Sequence, residues 1–358
     1  MEILHNPHRG RGLQSLAGIE ARVISDPTAA RALFQMCPVA SVTPLRNQPE
    51  LAKRLGVGGL HLKDESDRMG LGSFKALGAV HAVSRMAVDK VGPSPTPDEV
   101  AEALKGEVFV CASAGNHGLS VAAGARIFGA RAVVYISEAV PEAFAARLRE
   151  RGAHVVRSGS DYEESMTASV LAAKENGWTL LSDSSWPDYH DLPSGVMEGY
   201  LISGAEVVEA IPVPPTHIFL QAGVGGFAAA MSALFRSQWG DGPVIVVVEP
   251  QSARCLTESV RAGQPVVAPG PVSTMGRLDC KEASHIALAR LAADADYFVT
   301  IEDDLSEETV VVLAEHGVET TPSGAAGVSG AWNAAAELEF DESSRVLAFI
   351  PEGPETSD

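Results

Sequence analysis

The chain has 358 residues and a formal net charge of −19, with 46% hydrophobic and 20% charged residues. Such an acidic surface repels a nucleic-acid backbone and an anionic lipid surface, so neither is an expected partner. The length supports a large core, in one large domain or two. No run of 18 apolar residues and no leader-like start occurs, which makes a cytoplasmic protein the expectation.

Taken in chain order, the first informative stretch is Leu71 to Val80, "LGSFKALGAV". It reads as a helix start with Ser73 as its cap and Lys75 in the first turn, under Phe74 and Leu77. Apolar cover and a helix N-terminus both disfavour an ammonium, which predicts a lysine that gives up its proton and becomes a nucleophile. The competing reading is a lysine that reaches water along its own stem. Next, "VGPSPTPDEV" (Val91 to Val100) carries three prolines and reads as a surface loop joining two lobes.

From residue 108 the chain alternates. "EVFVCAS", "RAVVYIS", "HVVRSG" and "WTLLSD" read as strands, separated by helices in "GNHGLSVAAGARIFG", "PEAFAARLRERG" and "DYEESMTASVLAAKENG". Strands alternating with helices predict parallel βαβ units. "THIFLQ", "PVIVVVEP" and "RVLAFIPEG" add later strands, with a break near residues 187–195. The result is two α/β sheets, or one large one.

Two glycine loops follow strands and open helices, at Ser113 to Gly118 and Gly223 to Gly226. Free backbone N–H groups and the helix dipole there suit a phosphate or a carboxylate. "GVGGFA" also satisfies a dinucleotide fingerprint, with Glu249 closing the next strand for a ribose, and tight packing without ligand stands beside that reading. The four cysteines, Cys37, Cys111, Cys255 and Cys280, lack metal-ligand spacing and read as buried thiols, although Cys255 and Cys280 pair if the fold joins them.

Five segments occur in an order that resembles the fold-type II pyridoxal-phosphate enzymes, the tryptophan-synthase-β superfamily. They are "TPL" (Thr43 to Leu45), "KDES…GSFKALG" (Lys63 to Gly78), "SAGNHG" (Ser113 to Gly118), "AGVGG" (Ala222 to Gly226) and "TPSGAAG" (Thr321 to Gly327). The resemblance runs from Thr43 to Gly327 and displaces the dinucleotide reading. It implies an α/β, two-domain fold of mainly parallel sheets flanked by helices. Residues 1–89 and 190–358 would form a large cofactor-binding domain, and residues 90–189 a small mobile one. It also implies a homodimer acting on a small amino acid. Lys75 would hold pyridoxal 5′-phosphate covalently, with Phe74 near its ring and Asn116 on its phenolic oxygen. Gly223, Val224, Gly225 and Gly226 would cradle the phosphate, and Ser323 would bond the pyridine nitrogen. Ser113, Ala114, Gly115 and Asn116 would receive the substrate carboxylate. A hydroxyl such as Ser323 does not keep the pyridine protonated, so the ring is a weaker electron sink and elimination is favoured over transamination.

Within the superfamily, "DSSWPDYHDLPSGVMEGY" (Asp183 to Tyr200) and "STMGRLDCKEAS" (Ser273 to Ser284) resemble the diaminopropionate ammonia-lyases, with Arg277 and Lys281 in place of glycines. Asp183 would then bind a β-ammonium and help it leave as ammonia; the plain alternative is a cap for the next segment. His117 is expected to anchor its loop and His190 to lie at the surface. One departure matters. Ala114 stands where that family has aspartate and serine racemases have serine, as in threonine dehydratases. Alanine moves no proton, so Lys75 is the expected base and the L isomer the expected substrate. The expected activity is β-elimination from a 2,3-diaminopropionate-like L-amino acid. L-threonine or L-serine dehydration and β-replacement are the alternatives.

Overall fold

The structure, a computed structural model, describes residues 1–91, 96–113 and 115–354. The N-terminal part contains β1 (Glu2–His5), α1 (Thr28–Gln35), β2 (Leu45–Asn47), α2 (Pro49–Leu55), β3 (Gly59–Asp64) and α3 (Lys75–Val91). The middle continues with α4 (Pro97–Ala101), β4 (Val108–Ala112), α5 (Asn116–Ile127), β5 (Arg131–Ile136), α6 (Glu142–Glu150) and β6 (Ala153–Arg157). It closes with α7 (Tyr162–Asn176) and β7 (Thr179–Leu180). There follow α8 (Asp191–Ala210), β8 (His217–Gln221), α9 (Gly226–Trp239), β9 (Val244–Pro250), α10 (Cys255–Ala262) and α11 (His285–Asp294). The last elements are β10 (Tyr297–Ile301), α12 (Asp303–Glu315), α13 (Pro322–Ala334) and β11 (Arg345–Ile350).

These strands make two sheets, a seven-stranded one in the order β1-β10-β9-β8-β11-β3-β2 and a four-stranded one in the order β6-β5-β4-β7. The smaller sheet is parallel throughout, and the larger is parallel except at its edges, where β1 and β2 run antiparallel. Central strands such as β4 and β9 are apolar almost without alternation because helices cover both faces. The alternation read from residue 108 onward is present element for element. The last of these strands, β7, is only two residues long, and Leu181 N–H makes one further bond to Val110 O (2.8 Å) before the chain turns into the site.

Two local readings need correction. The proline-rich stretch is not all loop: Thr96 and Glu99 form a reciprocal capping box that starts α4. Residues 92–95 lie outside the described residues. Ser73 is buried and bridges by backbone to Glu352, so α3 begins at Lys75 itself.

The helix that carries Lys75 is fixed by a glycine-mediated crossing with α8. A Cβ on Gly199 would stand 2.3 Å from Leu77 O, and one on Gly78 would stand 2.5 Å from the Tyr200 ring. Only glycine lets the two backbones approach this closely. The turn leading into α3 contains Met69, Gly70 and Gly72, all at positive φ. Below it lies a buried cluster: Lys63 Nζ donates to Thr43 O (2.6 Å) and Glu206 Oε2 (2.5 Å), and Arg68 bridges Glu65 and Glu206 (2.6 Å each). Two cations thus face two carboxylates with little access to water.

Candidate active site

The segments that leave the C-terminal ends of β3, β4, β7, β8 and β11 converge on one cavity of about 340 Å³. Ligand sites of α/β sheets form in such places, because loops are free to vary while the strands hold their ends. Phe74, Lys75, Ser113, Gly115, Asn116, Asp183, Gly223, Val224, Gly225, Gly226 and Ser323 all line it. Ala114, the remaining residue expected in the carboxylate loop, lies outside the described residues.

Lys75, the first residue of α3, donates from Nζ to Asp183 Oδ2, and the two side chains keep 23% and 18% of their surface accessible. Burial disfavours both charges, but their attraction outweighs it. Lys75 is held well above the usual lysine range, and Asp183 well below the usual carboxylate range. The expectation of a lysine depressed by burial is therefore corrected, since Asp183 overrides the apolar cover. Phe74 and Tyr200 stand 5.2 and 5.8 Å from Nζ by ring centroid. Burial pushes the Tyr200 hydroxyl up to about 12, so it remains neutral beside the pair.

Opposite, β8 ends in the turn Gly223 to Gly226, which opens the 14-residue helix α9. Gly225 sits at φ +98°, and a Cβ on Gly223 would lie 3.0 Å from Cys280 Sγ and 3.2 Å from Arg277 O. The loop is a backbone cradle at a helix N-terminus, where a Cβ at Gly223 or Gly225 would crowd its neighbours. Glu249, the acid of the dinucleotide reading, faces away. It accepts from Leu256 N and Thr257 N at 2.8 Å, and its carboxyl is pushed up to about 7 by burial.

A third wall joins the two sheets. Asn116 Nδ2 donates to Glu352 Oε2 (2.6 Å), and Thr321 Oγ1 donates to Glu352 Oε1 (2.6 Å). Arg277 Nε lies 3.6 Å from Glu352 Oε2, and its backbone N–H donates to Ser323 Oγ (3.0 Å). Ser113 Oγ accepts from Gly115 N (3.2 Å) and Gly118 N (3.1 Å), which folds the loop ahead of α5. His117 Nε2 donates to Leu181 O (2.8 Å), anchoring the loop as expected. Burial lowers the His117 pKa against the pull of Asp183, so the ring is neutral and Nδ1 is a buried acceptor. His190, expected at the surface, is half-buried ahead of α8 and does not line the cavity.

Sequence reasoning gave no role to Tyr162, Gln221, Cys280 and Glu352, which also line the cavity. Glu352 had a visible signal: an acid directly after the buried strand β11, at the ligand-binding end of a parallel sheet. Tyr162 had none, since only packing brings the start of α7 over the site. All four cysteines are free thiols.

Together these groups match pyridoxal phosphate in chemistry and size. There is an amine to bond its aldehyde, a glycine-rich backbone cradle for its phosphate, an amide on one wall and a hydroxyl on another. Comparison with known proteins agrees. Residues 37–352 match the family model described as "Pyridoxal-phosphate dependent enzyme", and the chain belongs to that family. Its cofactor is pyridoxal 5′-phosphate.

Among relatives, it is 33% identical to the diaminopropionate ammonia-lyase of Salmonella typhimurium, over 91% of this chain and 89% of that protein. It is 29% identical to that of Escherichia coli K12, over 81% and 75%. The solved holo diaminopropionate ammonia lyase from Escherichia coli superposes with a TM-score of 0.87 at 25% identity, covering 98% of this chain and 93% of that one. Threonine deaminase isoform 2 from Solanum lycopersicum shares the fold, with a TM-score of 0.78 at 21% identity over 100% and 96%.

Proposed function

We propose that this enzyme is an ammonia-lyase that removes the β-amino group of L-2,3-diaminopropionate, giving pyruvate and ammonia. The observation that carries the reading is the Lys75–Asp183 pair, a cation and an anion held together in the cavity that fits the cofactor. When bound, pyridoxal phosphate acidifies the substrate Cα–H and takes up the electron pair left behind. In its uncharged form Lys75 Nζ would be the group that accepts the Cα proton. Asp183, kept ionised by its surroundings, accepts hydrogen bonds from the β-ammonium and orients it for departure. Phe74 and Tyr200 exclude water from the apolar side of Nζ. Asn116, with one N–H held by Glu352, has its second N–H for the cofactor's phenolic oxygen. Ser323 would bond the pyridine nitrogen, Gly223 to Gly226 would hold the phosphate, and Ser113 to Asn116 would receive the carboxylate. Each turnover consumes one water and releases two ammonia.

Because Lys75 is the one proposed proton acceptor at Cα, turnover is confined to one configuration, the L isomer. In this reading residues 1–89 and 190–358 form the cofactor-binding domain, and residues 90–189 a smaller domain that moves over the site. A cytoplasmic homodimer fits the same reading; among the described residues no helix is long and apolar enough to cross a membrane. The alternatives are L-threonine or L-serine dehydration and β-replacement. The test is a panel of L- and D-2,3-diaminopropionate, serine, threonine and 3-hydroxyaspartate, scored for ammonia and 2-oxo acid. The L-diaminopropionate reaction should exceed all others. A preference for threonine or serine moves the enzyme to the dehydratases, and a need for a second nucleophile moves it to the synthases.

A further inference from the structure

Tyr200 is 1% exposed on α8, and its neighbours fix its ring. The ring meets Phe74 edge-on at 5.0 Å between centroids and Phe227 at 5.9 Å. Gly78 closes the space on α3, where a Cβ would stand 2.5 Å from Tyr200 Cε1. The hydroxyl at the end of this ring makes no well-formed hydrogen bond among the described residues. A buried hydroxyl left unmatched costs stability, and phenylalanine would fill the same space without that cost. The charges that act on the hydroxyl are Lys75 and Asp183. Lys75 Nζ lies 5.8 Å from the ring centroid, at the end of a flexible alkyl stem.

Asp183 faces a competition. It accepts from Lys75, and in the reading above it also accepts from the substrate's β-ammonium. A β-ammonium that takes Asp183 separates Lys75 from its ionic partner, and burial then favours the uncharged amine. That amine has two N–H groups and one lone pair, and the lone pair works as a base only when it is aimed. Aiming it requires an acceptor for an N–H. The thiol of Cys280 also acts on Lys75, but sulfur is a weak acceptor. The phenol oxygen of Tyr200 is a stronger one, and it is carried on a ring that cannot shift.

We propose that Tyr200 is a positioning residue whose hydroxyl oxygen accepts an N–H of Lys75 once the substrate's β-ammonium has taken Asp183, aiming the lysine lone pair at Cα. The proposal rests on the ammonia-lyase reading and explains how that reading obtains an uncharged base. Lys75 exchanges an anionic partner, which holds a proton on it, for a neutral one, which holds only its direction.

The experiment compares cofactor-loaded wild-type enzyme with Tyr200→Phe. Exchange of the Cα hydrogen with solvent deuterium is followed by NMR for L-2,3-diaminopropionate and L-serine. Elimination from diaminopropionate and from its α-deuterated form gives kcat and KM, and urea unfolding is measured on the cofactor-free proteins. In Tyr200→Phe, exchange and kcat for diaminopropionate should fall about tenfold to a hundredfold, with KM within about threefold. The isotope effect on kcat should rise, because removal of the Cα proton becomes slower. Serine leaves Asp183 to Lys75, so its exchange should change by less than about threefold. The urea midpoint should stay equal or increase.

Unchanged diaminopropionate exchange, or equal losses on diaminopropionate and serine, overturns the proposal. A lower urea midpoint gives the hydroxyl a structural partner and overturns it as well. Failure of the parent reading looks different. A wild-type enzyme that exchanges the Cα hydrogen of diaminopropionate in a Tyr200-dependent way without releasing ammonia loses the ammonia-lyase assignment and keeps the positioning role. One that neither exchanges nor eliminates diaminopropionate loses both.

Discussion

Lys63 and Lys75 stand twelve residues apart, one at the end of β3 and one at the start of α3, and both are removed from bulk water. Their surroundings give them opposite fates. Lys63 is 1% exposed among Glu65, Glu206, Arg68 and Thr43 and does not line the cavity that Lys75 faces, and burial lowers its pKa despite two carboxylates. Lys75 keeps 23% of its side chain open to a cavity and has one dominant anion, which raises its pKa. A buried lysine is thus no functional signal by itself. The signal is a single ionic partner together with space for a reactant.

The sharpest way to break that contrast is Lys75→Ala. It should lower turnover by about 10⁴-fold or more and abolish the borohydride-trapped cofactor adduct found by mass spectrometry. A trapped adduct on another lysine would end the assignment. Lys63→Met should do the reverse. Losing one member of a buried ionic set costs about 3–5 kcal/mol, read from the urea midpoint, with turnover per folded molecule little changed.

Asp183→Asn comes next. The β-ammonium and Lys75 lose a charged acceptor, so kcat/KM for diaminopropionate should fall about 10²-fold, and by less for serine, whose leaving group is neutral. Equal losses on both substrates would assign Asp183 to Lys75 alone.

The smallest effect is in alkaline stability of the cofactor-free protein. The folded pKa of Lys63 is below the ordinary 10.5, so the unfolded chain binds the extra proton and stability rises with pH just below 10.5. The folded pKa of Lys75 lies above 10.5, so its contribution is complete below that value and is lost as pH climbs past it. Lys63→Met should remove the rising limb and Lys75→Met the falling one, in denaturation curves taken across that range.

The same pair explains what the sequence made legible. β4 to β7 could be read directly, because short runs centred on apolar residues alternate there with helical segments. β3 was not read as a strand, since its end, Lys63-Asp64, looks like solvent-facing polarity. Those charges are buried and satisfied by partners up to 143 residues away. In the site, Lys75 and the glycine loop had a local chemical logic that the family resemblance decided between readings, and Asp183 came from the resemblance of its segment. Tyr162 was not legible, because its place depends on how the two sheets meet.

The close approach of Gly78 and Gly199 carries a consequence for anyone mapping this enzyme by random mutagenesis. Neither position touches substrate or bears a functional group, yet adding one methyl at either would wedge the lysine-bearing helix off its support and misaim the amine. Loss-of-function variants should therefore concentrate at two chemically mute letters as densely as at the reactive ones.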